Sequence, residues 1–148
     1  MEYITESPAQ TQALGKKTAD ELIKSIKGKS AKVFALTGDL GSGKTTFVQG
    51  FAKGLGTSAR IISPTFILMR KYLVPGNKFL NFYHVDLYRL EGDTENEVIN
   101  LGLTDIWKNP ENIVVIEWTE KIKNIIPEVK TEISFENLGE NKRKIIIL

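Results

Sequence analysis

The run "GDLGSGKT", Gly38 to Thr45, constrains this chain more than any other stretch. It satisfies G-x-x-x-x-G-K-[S/T] throughout, and it does so in context. "AKVFALTG" ahead of it reads as a short buried strand, and Lys44 to about Leu55 behind it reads as a helix. Any fold that accepts the motif must therefore feed a strand into a tight loop and the loop into a helix N-terminus. The glycines let successive backbone N–H groups turn inward and cradle phosphate oxygens, while the helix N-terminus adds partial positive charge. Lys44 can then reach the β- and γ-phosphates, and the Thr45 hydroxyl can take one position on Mg²⁺. The expected nucleotide-binding loop comprises Gly38, Asp39, Leu40, Gly41, Ser42, Gly43, Lys44, Thr45 and Thr46.

The remaining elements follow from periodicity and turn chemistry. "SPAQ" predicts a helix start, with Ser7 as N-cap, Pro8 as first helical residue and Gln10 as reciprocal capping-box partner. That helix runs to about Ile26, with Leu14, Leu22, Ile23 and Ile26 as its apolar stripe. The loop's own helix ends at Gly56, which can adopt a left-handed C-cap. "SPTFILMRKYLV" and "KFLNFYHVDLYRL" flank Pro75-Gly76-Asn77 and predict a hairpin. "DTENEVINLGLTDIW" predicts one or two short helices capped by Asp93 or Thr94. "NIVVIEW" is a second buried strand, and "TEISFENLGENKRKIIIL" a terminal hairpin turning at Gly139. Alternating strands and helices predict an α/β layer architecture, and the hairpins make the sheet mixed.

The 148 residues fit a single domain, 1–148, that buries roughly 70% of the unfolded chain's surface. Hydrophobic residues at 41% and charged residues at 26% are ordinary for a folded soluble protein, so disorder is not expected. The absence of cysteine excludes disulfides, thiolate zinc sites and a cysteine nucleophile. The polar, acidic start lacks the charged-then-apolar pattern of a secretory signal, and no apolar run approaches the roughly eighteen residues of a membrane span. A cytoplasmic protein without a membrane partner is the expectation. The formal net charge of +2 permits nucleic-acid contact without arguing for it.

A bound magnesium ion also needs a carboxylate, normally at the end of a neighbouring buried strand. Two acids qualify. Glu117 closes "IVVIE", and Asp86 closes "FYHVD". Glu117 is assigned to the metal, directly or through a water. Asp86 is the second acid, positioning either the attacking water or a metal-bound one. Thr65 in "SPTF" lies on the segment after the loop helix, where many P-loop hydrolases carry a threonine that senses the γ-phosphate; a plain turn into a strand fits the spacing equally well. His84, the only histidine, shares a strand face with Asp86, although lone histidines are more often structural. Trp118 either stacks near the nucleotide or fills the core.

The guanine-reading N-K-x-D pattern is missing, since "NKFL" and "NKRK" lack its aspartate, so ATP is the expected nucleotide. A kinase closing an arginine-bearing lid finds little support in four scattered arginines, Arg60, Arg70, Arg89 and Arg143. A small-molecule kinase and a non-hydrolysing, nucleotide-gated binding module remain the alternatives to a hydrolase.

"GDLGSGKTTFVQG", "SPTF", "HVDLYRL" and "IEW", in this order, together with the opening "SPAQTQALG", resemble the TsaE family over nearly the whole chain. These are bacterial P-loop ATPases of tRNA threonylcarbamoyladenosine biosynthesis. The resemblance implies a three-layer P-loop fold with helices on both faces of a small mixed sheet. It also implies a weak Mg²⁺-dependent ATPase that passes between ATP and ADP and assists TsaD and TsaB, meeting tRNA only through that complex. By position, Lys44 and Thr45 become the phosphate and metal residues, Glu117 the Walker-B-type acid and Asp86 the second acid. Thr65 falls in the switch-like segment and Trp118 follows the acid as the family expects. Ser42 stands where the family often has alanine, and Thr119 where proline is common. Arg143 reaching the nucleotide and Pro8 packing on the adenine are further expectations.

Overall fold

The computed structural model describes residues 1–57, 61, 68–76 and 78–148. Its apolar centre is strand β5, Asn112–Glu117, every residue of which is buried. A strand this apolar needs cover on both faces, as a parallel strand inside a layered α/β fold has. On one side β5 pairs in parallel with β2, Lys32–Thr37, and on the other with β4, Asn81–Asp86. Beyond β4 lies β3, Met69–Leu73, antiparallel to it. Beyond β2 lie β6, Thr131–Gly139, in parallel, then β7, Lys142–Ile147, and the edge strand β1, Glu2–Thr5, both antiparallel to their neighbours. The sheet order is β1-β7-β6-β2-β5-β4-β3.

Alternation along the strands divides the core in two. Phe34, Leu36, Ile113, Val115 and Ile133 pack beneath α1, Pro8–Lys24, and α2, Lys44–Leu55. Val33, Val85, Val114 and Ile116 face the opposite way. They meet α3, Thr94–Asn100, α4, Leu103–Ile106, and the 3-10 turn Thr119–Ile122. The expected three-layer α/β arrangement with hairpins is what forms. No helix among the described residues is long and apolar enough to cross a membrane.

One element was not expected, and one expectation needs correction. Glu2–Thr5 forms a strand that the sequence did not announce, because four residues are too few to show a period. Helix α1 stops at Lys24 instead of continuing to Ile26. The N–H and hydroxyl of Ser25 both close onto the Leu22 carbonyl, and the chain leaves extended, so Ile26 is 89% exposed and outside the apolar stripe. At the other end Ser7 caps as expected, its hydroxyl accepting from Gln10 N–H at 3.1 Å. The Gln10 side chain returns to Glu6 N–H at 2.7 Å, one residue earlier than a standard box. Asp93 caps α3, and Gly56 ends α2 in the left-handed conformation.

Helix α2 carries the phosphate loop, and two sets of contacts fix it. Phe51 meets Phe34 of β2 edge-on at 5.1 Å and Phe82 of β4 at 5.7 Å, while Phe47 meets Phe135 of β6 at 5.4 Å. On the outer side, α1 and α2 touch backbone to backbone through glycines. A Cβ on Gly50 would lie 1.9 Å from the Gln12 carbonyl oxygen, and one on Gly15 2.1 Å from that of Phe47. One on Gly54 would lie 2.6 Å from the Ala19 Cβ.

In an exposed helix Gly→Ala gains about 1 kcal/mol of helix propensity. Here the added methyl has no space, so Gly50→Ala should instead lose about 2–3 kcal/mol of stability through overpacking. Urea unfolding of that variant checks the sign.

Candidate functional site

The β2–α2 loop, the end of β4 and the end of β5 all lie at the carboxyl edge of the parallel strands, where open α/β sheets hold their ligands. The loop depends on left-handed backbone at Gly41 (φ +75°) and Gly43 (φ +103°), and on Gly38 at φ +143°. Gly38 is also a close approach, since a Cβ there would lie 2.6 Å from the Phe135 carbonyl oxygen and 2.8 Å from Ser42 Oγ. Gly43 caps α2 with no side-chain hydrogen bond, which leaves the first helical N–H groups without a capping partner. That end of a twelve-residue helix faces a cleft of about 200 Å³.

Leu40, Gly41, Gly43, Lys44, Thr45, Thr46, Asp86, Glu117, Trp118 and Arg143 line the cleft. The structure thus gathers most of the residues that the sequence nominates from four separate segments. Lys44 is only 5% exposed; its ammonium donates to the Gly38 carbonyl and, at 3.5 Å, to that of Asp39. It also sits 4.5 Å from the Trp118 ring centroid, a cation–π contact. Asp86 and Glu117 stand opposite one another in the β4–β5 register, both nearly buried. Asp86 Oδ1 accepts from Tyr88 N–H at 3.0 Å, which holds the carboxylate at the strand end. Trp118 is half-buried and packs on Tyr88, with ring centroids 5.0 Å apart. Its backbone is left-handed, φ +64°, a strained conformation for a bulky residue of the kind that collects at functional sites.

Other nominated residues are placed differently. Asp39 and Ser42 belong to the loop without lining the cleft, and the buried Ser42 hydroxyl has no hydrogen-bond partner among the described residues. Pro8 borders a separate cavity of about 30 Å³ with Thr11, Gly43, Thr46, Asn141 and Arg143, beside the loop. The stem of Arg143 lies over Gly43, and its Nη1 donates to the Asn137 side chain and to the Glu140 and Lys142 carbonyls. Thr65 lies outside the described residues.

Sequence reasoning did not foresee the partner of His84. The histidine is fully buried, with Nε2 2.7 Å from Glu117 Oε2. The i, i+2 spacing to Asp86 placed it on the correct face. Its partner depends on the parallel β4–β5 register, which no local pattern encodes.

Among the described residues no group of three or more His, Cys, Asp or Glu could hold a metal by itself. Magnesium needs no such cage; it takes one or two carboxylates and fills its octahedron with substrate phosphates and water. Asp86, Glu117 and the Thr45 hydroxyl around one cleft fit that requirement. A larger groove of about 450 Å³, lined by residues such as Leu22, Ala31, Val129 and Leu148, contains no buried charged side chain and no such convergence.

Fold and loop together define a P-loop-type α/β domain. The family profile described as "Threonylcarbamoyl adenosine biosynthesis protein TsaE" matches residues 5–145. A tRNA threonylcarbamoyladenosine biosynthesis protein TsaE from Bacillus subtilis is 34% identical over 145 residues, 98% of this chain and 83% of the relative. One from Haemophilus influenzae is 41% identical over 114 residues, 77% of this chain and 68% of the relative. The crystal structure of Bacillus subtilis YdiB superposes with a TM-score of 0.73 at 30% identity, covering 98% of this chain and 82% of that one. The chain belongs to the TsaE family.

Two of the loop glycines give a graded test. Gly41→Ala should cost about 1–2 kcal/mol for its left-handed backbone, because nothing lies within 4 Å of the added methyl. Gly38→Ala meets the β6 backbone as well, and should lose more stability and displace the loop. Thermal unfolding of both variants alongside the parent chain measures the difference.

Proposed function

We propose that the chain is a magnesium-dependent ATPase that acts in tRNA threonylcarbamoyladenosine biosynthesis, as an accessory to TsaD and TsaB. The observation that carries the reading is the convergence of Lys44, Thr45, Asp86 and Glu117 on one cleft at the N-terminus of α2. In this reading the N–H groups of the loop and the ammonium of Lys44 hold the polyphosphate, and the lysine leaves the Gly38 carbonyl and the Trp118 face to do so. Thr45 and Glu117 would hold Mg²⁺, with Asp86 beside them. Held by those residues, the ion would supply charge neutralisation for γ-phosphoryl transfer. Asp86 would orient the attacking water, or one held by the ion, by accepting its hydrogen bond. Pro8 and Arg143, which border both the loop and the small cavity beside it, are assigned to the base.

Hydrolysis fits better than transfer to a metabolite. The cleft of about 200 Å³ is lined by groups suited to phosphate and metal, and among the described residues no further set of lining side chains is left to recognise a second substrate. The energy of hydrolysis then goes into a conformational change read by the partner proteins. Arg143 lines the cleft, yet its guanidinium is engaged by the terminal hairpin. Hydrolysis by the isolated chain should accordingly be slow.

Phosphate release from ATP, with and without TsaD and TsaB, tests this. Slow, Mg²⁺-dependent release whose rate changes on adding the partners is expected. Nucleotide binding without release under either condition would return the chain to the class of gated binding modules, and phosphorylation of an added acceptor would make it a kinase. Lys44→Ala should abolish release and weaken ATP binding at least tenfold. In Glu117→Ala, release should fall at limiting Mg²⁺; unchanged release would move the metal assignment to Asp86.

A further inference from the structure

We propose that His84 is a positioning residue: it holds one carboxylate oxygen of Glu117 so that the other is presented to the phosphate-loop cleft. The inference rests on the magnesium–nucleotide reading above and assigns a part to a side chain that never reaches the ligand. Glu117 lines the cleft and His84 does not. The pair is buried, with His84 at 0% exposure and Glu117 at 3%.

A carboxylate at the end of a strand rotates broadly about its last torsion unless something holds it. The 2.7 Å contact between His84 Nε2 and Glu117 Oε2 supplies that hold. A proton lies between the two atoms. The arrangement that leaves Glu117 a carboxylate puts this proton on Nε2, with His84 donating. No described residue bonds to Nδ1, so the ring directs its polar chemistry toward Glu117. The ring is fully buried and lies nearly parallel to Phe82, at 11° between planes with centroids 6.4 Å apart. Phe82 is in turn pinned against Phe51 of α2. The helix that begins with Lys44 and the acid that faces it are thus oriented by one run of packed rings, Phe51–Phe82–His84.

The same device serves the other acid, since Asp86 Oδ1 is held by the Tyr88 N–H. Hydrogen bonds to carboxylates that bind metals commonly matter at the level of 10–100-fold in metal affinity. A histidine that merely filled space would be replaceable by an apolar side chain of similar length. The two roles therefore separate on whether an N–H donor is needed.

The experiment compares His84→Gln, which retains a donor near the Nε2 position, with His84→Met, which keeps length without one. Two quantities are read: ADP affinity by calorimetry without and with Mg²⁺, and the Mg²⁺ concentration that half-saturates phosphate release. His84→Met should bind ADP normally without metal, yet need about 10–100-fold more Mg²⁺. His84→Gln should recover most of that loss. Should His84→Met not fold, His84→Phe takes its place, keeping a ring on Phe82 without the donor. Equal magnesium requirements in the parent, Met and Gln chains overturn the inference, as does a Gln variant no better than Met. A loss of ADP affinity that is the same with and without metal also overturns it, since that is what a packing defect gives. If the parent chain's nucleotide binding ignores Mg²⁺, the parent reading falls and takes this one with it; if the parent responds and His84→Met matches it, this one alone falls.

Discussion

The fold depends above all on the parallel alignment of β5 between β2 and β4. In that register Glu117 lies beside Leu36 on one flank and Asp86 on the other, so β4 and β5 end level and β2 runs one residue further. Ile113, Val115 and Glu117 share one side of β5, and Val114 and Ile116 the other. A slip of one residue would carry Glu117 to the far face, into the apolar layer of Val98, Leu103 and Trp107. Burial on both faces makes such a slip costly. The same hydrophobic pattern that forms the core therefore also fixes where the acids stand.

The second requirement is a loop held still between moving charges. Aromatic contacts tie α2 to β2, β4 and β6, and Gly38 lies so close to Phe135 that no side chain fits there. Against that frame Lys44 is satisfied by carbonyls and by the Trp118 face. A buried ammonium without partners would be costly, so these contacts make the loop's geometry stable before any anion arrives.

Much of this could be read in the sequence because it is local. The phosphate loop, the Ser7 and Asp93 caps, the Gly56 terminus and both hairpins each depend on a few adjacent residues whose conformational demands are known. Asp86 and Glu117 were legible because an acid closing an apolar strand is conspicuous. What could not be read is non-local. The His84–Glu117 pair needs the strand order, β1 is too short to have a period, and the end of α1 turned on a serine that bonds backward. The glycines of α1 and α2 gave no signal either, because a glycine in a helix looks like a weak helix former until its neighbour is known.

Those glycines have one more consequence. Gln12 and Gly50, like Phe47 and Gly15, meet with no side chain between their backbones, so neither helix can loosen by shuffling rotamers. Local opening of a protein proceeds through units that separate cooperatively. Here the smallest such unit containing the phosphate loop includes the N-terminal helix as well. The exchange of amide hydrogens in α1 and α2 should therefore share one opening free energy, and the loop is only as durable as the seam behind it.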